Sequence, residues 1–110
     1  MRVFTVGSPA VSSRLIVKHN SRNKFSFFFW DDVNNTIPTV MTGVTITIEI
    51  EEVLGGSVTT WTATNTLNEA IFDQPAATVQ FAWDTRPFQV IFTKTAIREV
   101  VMTGEVQVQR

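Results

Sequence analysis

The residues that could carry out chemistry are few in this chain. His19 is the one histidine of 110 residues, and the chain has no cysteine. A serine-type triad would have to use His19 as its base, but the nearby Ser12, Ser13, Ser21 and Ser26 lie outside any nucleophile-elbow pattern. A zinc site would need more nitrogen or sulfur ligands than these residues supply. We therefore expect no catalytic, metal or cofactor site, and we interpret His19 as a loop residue.

Two groups of carboxylates have simpler interpretations than catalysis. Asp31 and Asp32 precede Asn34 in a spacing that resembles the start of a calcium loop, but the glycine and the final glutamate of that loop are missing. Turn formation by Asp and Asn is the interpretation that we favour. Glu49 and Glu51 lie two residues apart and could serve a glycosidase. No pattern around them indicates a sugar pocket, so an enzyme is not expected.

Three tryptophans allow two interpretations. Trp30, Trp61 and Trp83 could form a platform on which sugar rings stack, or they could be core and interface residues. Tryptophans are often mostly buried and are enriched at protein contacts, which favours the second interpretation. Glycan stacking stays an alternative.

The charge balance excludes two classes of partner. Nine basic and ten acidic residues give a net charge of −1. A nucleic-acid binder or an anionic-membrane binder needs an excess of Lys and Arg, so we expect neither. No apolar run approaches the ~20 residues of a membrane helix. The first residues also lack the apolar core of a secretory signal, so the sequence predicts a protein made and released in a cytoplasm.

Period-two alternation is the main structural signal. Val44, Ile46, Ile48 and Ile50 alternate with polar residues over 43–52, which is typical of a half-buried strand. About eight such short segments, separated by turn residues, predict an all-β fold: a single antiparallel β-sandwich, immunoglobulin-like or jelly-roll-like. The sandwich is expected over 24–110. Residues 1–23 are expected to form an N-terminal arm or the first strands, and they could contribute to an interface.

Two details of the pairing are also predicted. The strand at 24–30 and the strand at 43–52 are expected to pair antiparallel across the polar loop between them. Gly104 is expected at a bulge or bend of the last long strand, because glycine inside a strand often marks such a site.

The segment Phe25-Ser26-Phe27-Phe28-Phe29-Trp30 differs from an ordinary strand. Alternation directs Phe25, Phe27 and Phe29 to one face, and Phe28 and Trp30 to the other. Two large aromatics on the second face predict that a further layer or a partner covers it. We therefore predict Phe28 and Trp30 as interface residues. The cations of the N-terminal segment, Arg14, Lys18 and Arg22, are added as candidates.

Two motifs carry a family resemblance. Thr42-Gly43-Val44-Thr45 followed by Ile48 opens one strand, and Gly104-x-Val106-x-Val108-x-Arg110 closes the chain. Over about residues 20–110, with structural motifs of this kind, the sequence resembles the short β-sandwich minor tail proteins of actinobacterial tailed phages. Related sandwich domains occur at the N-termini of phage baseplate and fibre proteins.

The resemblance implies a non-enzymatic virion component without cofactors. It would be a minor tail protein, an adaptor or decorating domain at the tail tip or fibre attachment region. It would be assembled in the host cytoplasm and held in symmetric multiple copies by other phage structural proteins. A capsid decoration protein and a carbohydrate- or receptor-binding module on the tail remain alternatives.

Overall fold

The structure is a computed structural model that describes the backbone of residues 2–5 and all atoms of residues 10–53 and 55–110. This part of the chain forms nine strands and a single 3₁₀ turn at Ala76–Thr78. In chain order the strands are β1 (Arg2–Thr5), β2 (Val11–Lys18), β3 (Asn23–Trp30), β4 (Val44–Glu51), β5 (Val58–Thr62), β6 (Thr64–Thr66), β7 (Glu69–Gln74), β8 (Thr85–Lys94) and β9 (Ile97–Gln109). No helix among these residues is long and apolar enough to cross a membrane.

The strands form two sheets that pack as a sandwich, which confirms the predicted fold class. Sheet A has the order β1-β3-β7-β6, and sheet B has the order β2-β9-β8-β4-β5. Most pairs are antiparallel, but β1 runs parallel to β3, and β2 runs parallel to β9. A hairpin joins two consecutive strands and makes them antiparallel, whereas the partners in these two parallel pairs are not consecutive in the chain. The segment 1–23 therefore supplies one edge strand to each sheet.

The predicted pairing of β3 with β4 is wrong. β3 pairs with β1 and β7 in sheet A, while β4 pairs with β5 and β8 in sheet B. The loop 31–43 between them is too long for a tight hairpin, and it carries the chain from one sheet to the other. Each of the two strands keeps an apolar inner row that contributes to the core between the sheets.

The core lies between the inner faces of the two sheets. On β3 the prediction holds for Phe27 and Phe29, which are buried, and for Phe25, which is partly buried against the same core. Phe29 contacts Phe92 of the opposite sheet with ring centroids 5.9 Å apart. The four apolar residues of β4 are buried while its threonines and glutamates point outward. The alternation in the sequence therefore identified the buried face of the central strands.

The sequence predicted a bulge or bend at Gly104, but the bulge of the last strand lies elsewhere. The register of β8 and β9 shifts between Val90 and Ile91, which face Met102 and Val100, so Val101 is the extra residue. Gly104 lies beyond the bulge, opposite Ser13 of β2. A Cβ atom at Gly104 would lie 1.6 Å from the carbonyl oxygen of Ser13. Gly104 is therefore needed for the close approach of β2.

Replacement of Gly104 by alanine is expected to destabilise the protein by more than about 2 kcal/mol, because β2 has to move away from β9. Gly43→Ala is the matched control: its φ is +74°, but nothing lies within 4 Å of the added Cβ. That variant is expected to lose only about 1 kcal/mol, the cost of the left-handed conformation. Urea unfolding of both variants measures the difference, and equal losses would contradict the role given to Gly104.

Candidate interaction surface

One end of the sandwich, which we call the loop end, is formed by the loop 31–43, the β6–β7 turn at 67–68 and the β8–β9 turn at 95–96. β4 starts here and β8 finishes here, as the pair Val44–Lys94 shows. The opposite end holds the connections at 19–22, 52–57 and 75–84. The two ends are formed by different loops and differ in how much apolar surface they expose.

The loop 31–43 has a fixed start. The carboxylate of Asp32 accepts hydrogen bonds from the backbone N–H groups of Thr36 (2.9 Å) and Ile37 (2.8 Å), and from the hydroxyl of Thr36. These bonds, the Thr36 hydroxyl first among them, hold the pKa of Asp32 below its ordinary value. The structure thus confirms that Asp32 organises a turn, as the Asp and Asn cluster predicted.

The middle of the loop runs back along the end of β3. The N–H of Asp31 donates to the carbonyl of Ile37, and the N–H of Thr39 donates to the carbonyl of Phe29. The buried side chain of Asn68 donates a second hydrogen bond, of 2.9 Å, to that same carbonyl. The carbonyl of Phe29 therefore joins the loop and the β6–β7 turn at one point.

A cavity of about 550 Å³ lies between the loop and the β6–β7 turn. The run from β5 to β6 passes from sheet B to sheet A here: the N–H of Ala63 still donates to the carbonyl of Ile46 in sheet B. Beyond that point the side-chain amide of Asn65 in β6 donates a 2.8 Å hydrogen bond to the carbonyl of Val44 in β4. The cavity occupies the corner where the sheets separate. Its lining residues are Pro38, Thr39, Val40, Met41, Thr42, Asn65, Leu67 and Asn68.

Two apolar side chains at this cavity project into solvent. Leu67 is 87% exposed and Val40 is 66% exposed. Leu67 also has a φ of +54°, a left-handed conformation that costs a residue with a Cβ about 1–2 kcal/mol. An exposed leucine in that conformation gains nothing from burial within this chain. Such an outlier is a reason to look for a function at the site.

The outer face of sheet A adjoins this cavity. Trp30 stands opposite Pro38 in an antiparallel bridge, so their side chains lie on one face, and Pro38 also lines the cavity. Phe28 follows on the same face of β3, and Ile71 of β7 lies on it as well. We call the residues Phe28, Trp30, Pro38, Val40 and Leu67 the loop-end surface.

Phe28 and Trp30 are less exposed than the side chains of a fully uncovered sheet face would be. Both are partly buried within the single chain, and the backbone of β1 pairs alongside them. The face also has a polar element, since Ser26 donates a 2.7 Å hydrogen bond to Glu69. The indole N–H of Trp30 is buried and has no acceptor among the described residues. A role for the two aromatics at an interface stays a prediction.

The three tryptophans are not brought to one exposed surface. Trp61 is 4% exposed and lies in the core. Trp83 stacks on Phe81 with centroids 4.4 Å apart, and its indole N–H donates to the carboxylate of Glu52. The aromatic contacts among Phe25, Trp61 and Phe81 continue that stack into the interior. Trp30 lies on the outer face of sheet A.

The cations of the N-terminal segment separate into two settings. Arg14 and Lys18 are exposed on β2, the edge strand of sheet B. Arg22 forms an exposed ion pair with Asp73 at 2.6 Å. The hydrogen bond from Arg22 holds the pKa of Asp73 below its ordinary value. Arg22 therefore has an intramolecular partner, whereas no ion pair of Arg14 or Lys18 occurs among the described residues.

The residues considered for catalysis are engaged in structural contacts. The carboxylate of Glu49 accepts from Gln89, and that of Glu51 accepts from Arg86 and from the N–H of Gly55. Nδ1 of His19 accepts a 3.3 Å hydrogen bond from the N–H of Phe81. The described residues contain no cluster of three or more metal-binding side chains.

The terminal motif also has a structural explanation. Arg110 donates to the carbonyls of Phe81 and Trp83 and pairs with Asp84 at 3.1 Å. Val106 and Val108 of the same motif are buried in the core. The motif thus closes β9 onto the connection 75–84.

Sequence reasoning missed Leu67 and Val40. The available signal was weak: Leu67 stands between polar residues in a connector, where a large apolar side chain has no strand to pack on. The cavity beside it depends on how the loop 31–43 lies next to the β6–β7 turn, which single-strand patterns do not describe.

Comparison with known proteins gives a likeness of fold. No protein-family model matches the chain, and no curated protein matches it in sequence. Among solved structures, it is similar to the N-terminal domain of phage TP901-1 ORF48, with a TM-score of 0.55 and 10% identity over 100% of both chains. This similarity shows that the two chains share a fold.

Thr36→Val removes the hydroxyl that Asp32 accepts, so the pKa of Asp32 is expected to rise toward the ordinary carboxyl value of about 3.9. Because the folded pKa is lowered, the stability that this carboxylate contributes is present above the unfolded pKa and is lost as the pH falls through the folded pKa. The variant should lose this contribution at a higher pH than the parent. Carboxyl ¹³C NMR titration measures the shift.

Thr60→Val, at an exposed position of β5 in sheet B, is the matched control and should leave the titration of Asp32 unchanged. An unaltered Asp32 midpoint in Thr36→Val would show that the hydroxyl does not set this pKa.

Proposed function

We propose that this chain is a non-enzymatic structural component of a bacteriophage virion. In the finer form of the proposal it is a minor tail protein, an adaptor or decorating domain at the tail tip or fibre attachment region. It contacts other phage structural proteins through the loop-end surface and is present in several symmetric copies.

The shared fold supports the phage assignment. The chain aligns over its whole length with a domain of a phage protein, and its sequence motifs resemble those of phage minor tail proteins. A fold alone does not define a function, so the assignment to a structural role needs support from a site. The engaged carboxylates and histidine support a role without catalysis.

The distribution of exposed apolar side chains is the observation that carries the proposal. Nine large apolar residues are well exposed in the described part of the chain, and five of them lie at the loop end. Val40 and Leu67 belong to the loop-end surface, and Val33, Ile37 and Ile97 lie elsewhere at the same end. A concentration of exposed apolar groups marks a contact site on a soluble domain. At the opposite end, the exposed large apolar side chains among the described residues are Val53 and Val58.

Leu67 fits the role of an anchor in such a contact. Its side chain projects beside an open cavity. Its left-handed backbone conformation is not compensated by burial of the side chain within the chain. Burial of a leucine side chain against a partner contributes about 1.5–3 kcal/mol, which exceeds the conformational cost at this position. The strain is thus accounted for when a neighbouring protein covers the turn.

The experiment uses a phage whose copy of this gene is deleted and is supplied in trans. Leu67→Gly removes the anchor and relieves the positive φ, so the variant should fold with a stability within about 1 kcal/mol of the parent. Loss of an anchor worth about 2 kcal/mol weakens the contact on the order of 30-fold. We expect a matching loss of the chain from purified particles, measured by mass spectrometry.

Val58→Thr is the matched control, because Val58 is 50% exposed at the opposite end of the molecule. It should be incorporated like the parent. Normal incorporation of Leu67→Gly would reject the loop-end surface as the contact site. Imaging of labelled chain on particles tests the tail assignment, and label on the head would favour a capsid decoration protein.

A further inference from the structure

The free edge of β2 is a second candidate surface, because no described strand pairs with it. β2 is an outer strand of sheet B and, with eight residues, the longest edge strand of the described residues; the edge strands β1, β5 and β6 have four, five and three. Long edges expose a row of backbone donors and acceptors that another chain can pair with. Natural domains usually keep such edges short or cover them.

The backbone groups of β2 that point outward can be assigned. The N–H of His19 donates to Gln109 of β9, so the odd-numbered residues of β2 direct their backbone groups toward β9. The even-numbered residues point to the free edge. At Lys18 this edge is closed, because the carboxamide of Asn23 accepts from its N–H and donates to its carbonyl, both at 3.0 Å. The outward backbone groups of Ser12, Arg14 and Ile16 have no such partner among residues 10–53 and 55–110.

The side chains on this edge determine which partner fits. Arg14, Ile16 and Lys18 all lie on the outer face of sheet B and are exposed. Neither cation has an ion-pair partner among the described residues, although Glu105 is the neighbour of Arg14 in the register with β9. An added strand would place its own outer-face side chains directly beside these cations.

A second copy of β2 fits this edge poorly. Antiparallel pairing about a two-fold axis can set Arg14 against Arg14 or Arg14 against Lys18, and both registers oppose like charges. A register that sets Arg14 against Ile16 also sets Ser12 against Lys18, whose backbone groups are already bound by Asn23. A register that sets Arg14 against Ser12 pairs only the first part of β2 and leaves Lys18 outside the pairing. The charges therefore favour a different chain.

We propose that the free edge of β2 binds an extended segment of a partner protein that carries acidic side chains opposite Arg14 and Lys18. The backbone of Ser12, Arg14 and Ile16 supplies the hydrogen bonds, and the cations select the partner. This is strand addition to an exposed sheet edge. The proposal depends on β2 alone, and it holds or fails independently of the loop-end surface.

The probe is the capped peptide Thr-Glu-Val-Glu-Val-Glu-Thr, titrated into ¹⁵N-labelled protein. We expect a dissociation constant of about 1 mM, with shifts and slowed exchange at the amides of Ser12, Arg14 and Ile16. The same peptide with Lys in place of Glu should bind at least about tenfold more weakly. Added salt should weaken the binding of the Glu peptide, because the cations are exposed.

Ile16→Pro separates edge pairing from side-chain contact. Its N–H points away from β9, so proline removes a donor from the free edge and leaves the β2–β9 ladder intact. The variant should bind the Glu peptide at least about tenfold more weakly, while Ile16→Thr, which keeps the N–H, should stay within about threefold. Dispersed amide spectra of both variants establish that they are folded.

Four results would overturn the proposal. They are absence of binding by the Glu peptide, equal binding by the Lys peptide, equal effects of the two Ile16 variants, and shifts confined to the loop-end surface. Concentration-dependent shifts of β2 without peptide would assign the edge to a second copy and would equally reject an acidic partner.

Discussion

The packing of one apolar face from each sheet against the other is the constraint on which the rest of the structure depends. Phe27, Phe29 and Phe72 of sheet A pack in one core cluster with the buried rows of β4 and β8. A sheet that buries one face must solvate or cover the other. Sheet B solves this with threonines and glutamates on β4, while sheet A keeps Phe28, Trp30 and Ile71 partly buried on its outer face.

The cavity at the loop end follows from the same packing. The run from β5 to β6 belongs to both sheets, so the sheets are joined at that corner and must separate beyond Ala63. One side chain, Asn65, holds the gap, and the loop 31–43 covers it only in part. A continuous core would have filled this corner. The open corner and the strained turn at Leu67 therefore occur side by side, and a partner that binds at this end displaces no core side chain.

The sequence predicted the parts of the fold that depend on one strand at a time. Alternation over 43–52 identified the buried row of β4, and the aromatic run identified the inner face of β3. Pairing was not predictable in the same way: β3 and β4 are neighbours in sequence but belong to different sheets, and the parallel edges join distant segments. The site was less predictable still. Leu67 combines a positive φ with high exposure beside a cavity, and the residues beside it in the sequence do not indicate this combination.

In the N-terminal segment, a single residue of β9, Gly104, determines whether β2 can form the edge of sheet B. With a side chain at Gly104, β2 would have to move away from β9, and the edge that carries Arg14 and Lys18 would move with it. Because β2 is instead paired over all eight residues, its outward groups are already held in the strand conformation. A partner segment then orders itself alone, which lowers the entropy cost of association. In the proposed contact Arg14 and Lys18 have two effects: their charges attract an acidic partner strand, and they repel another copy of β2.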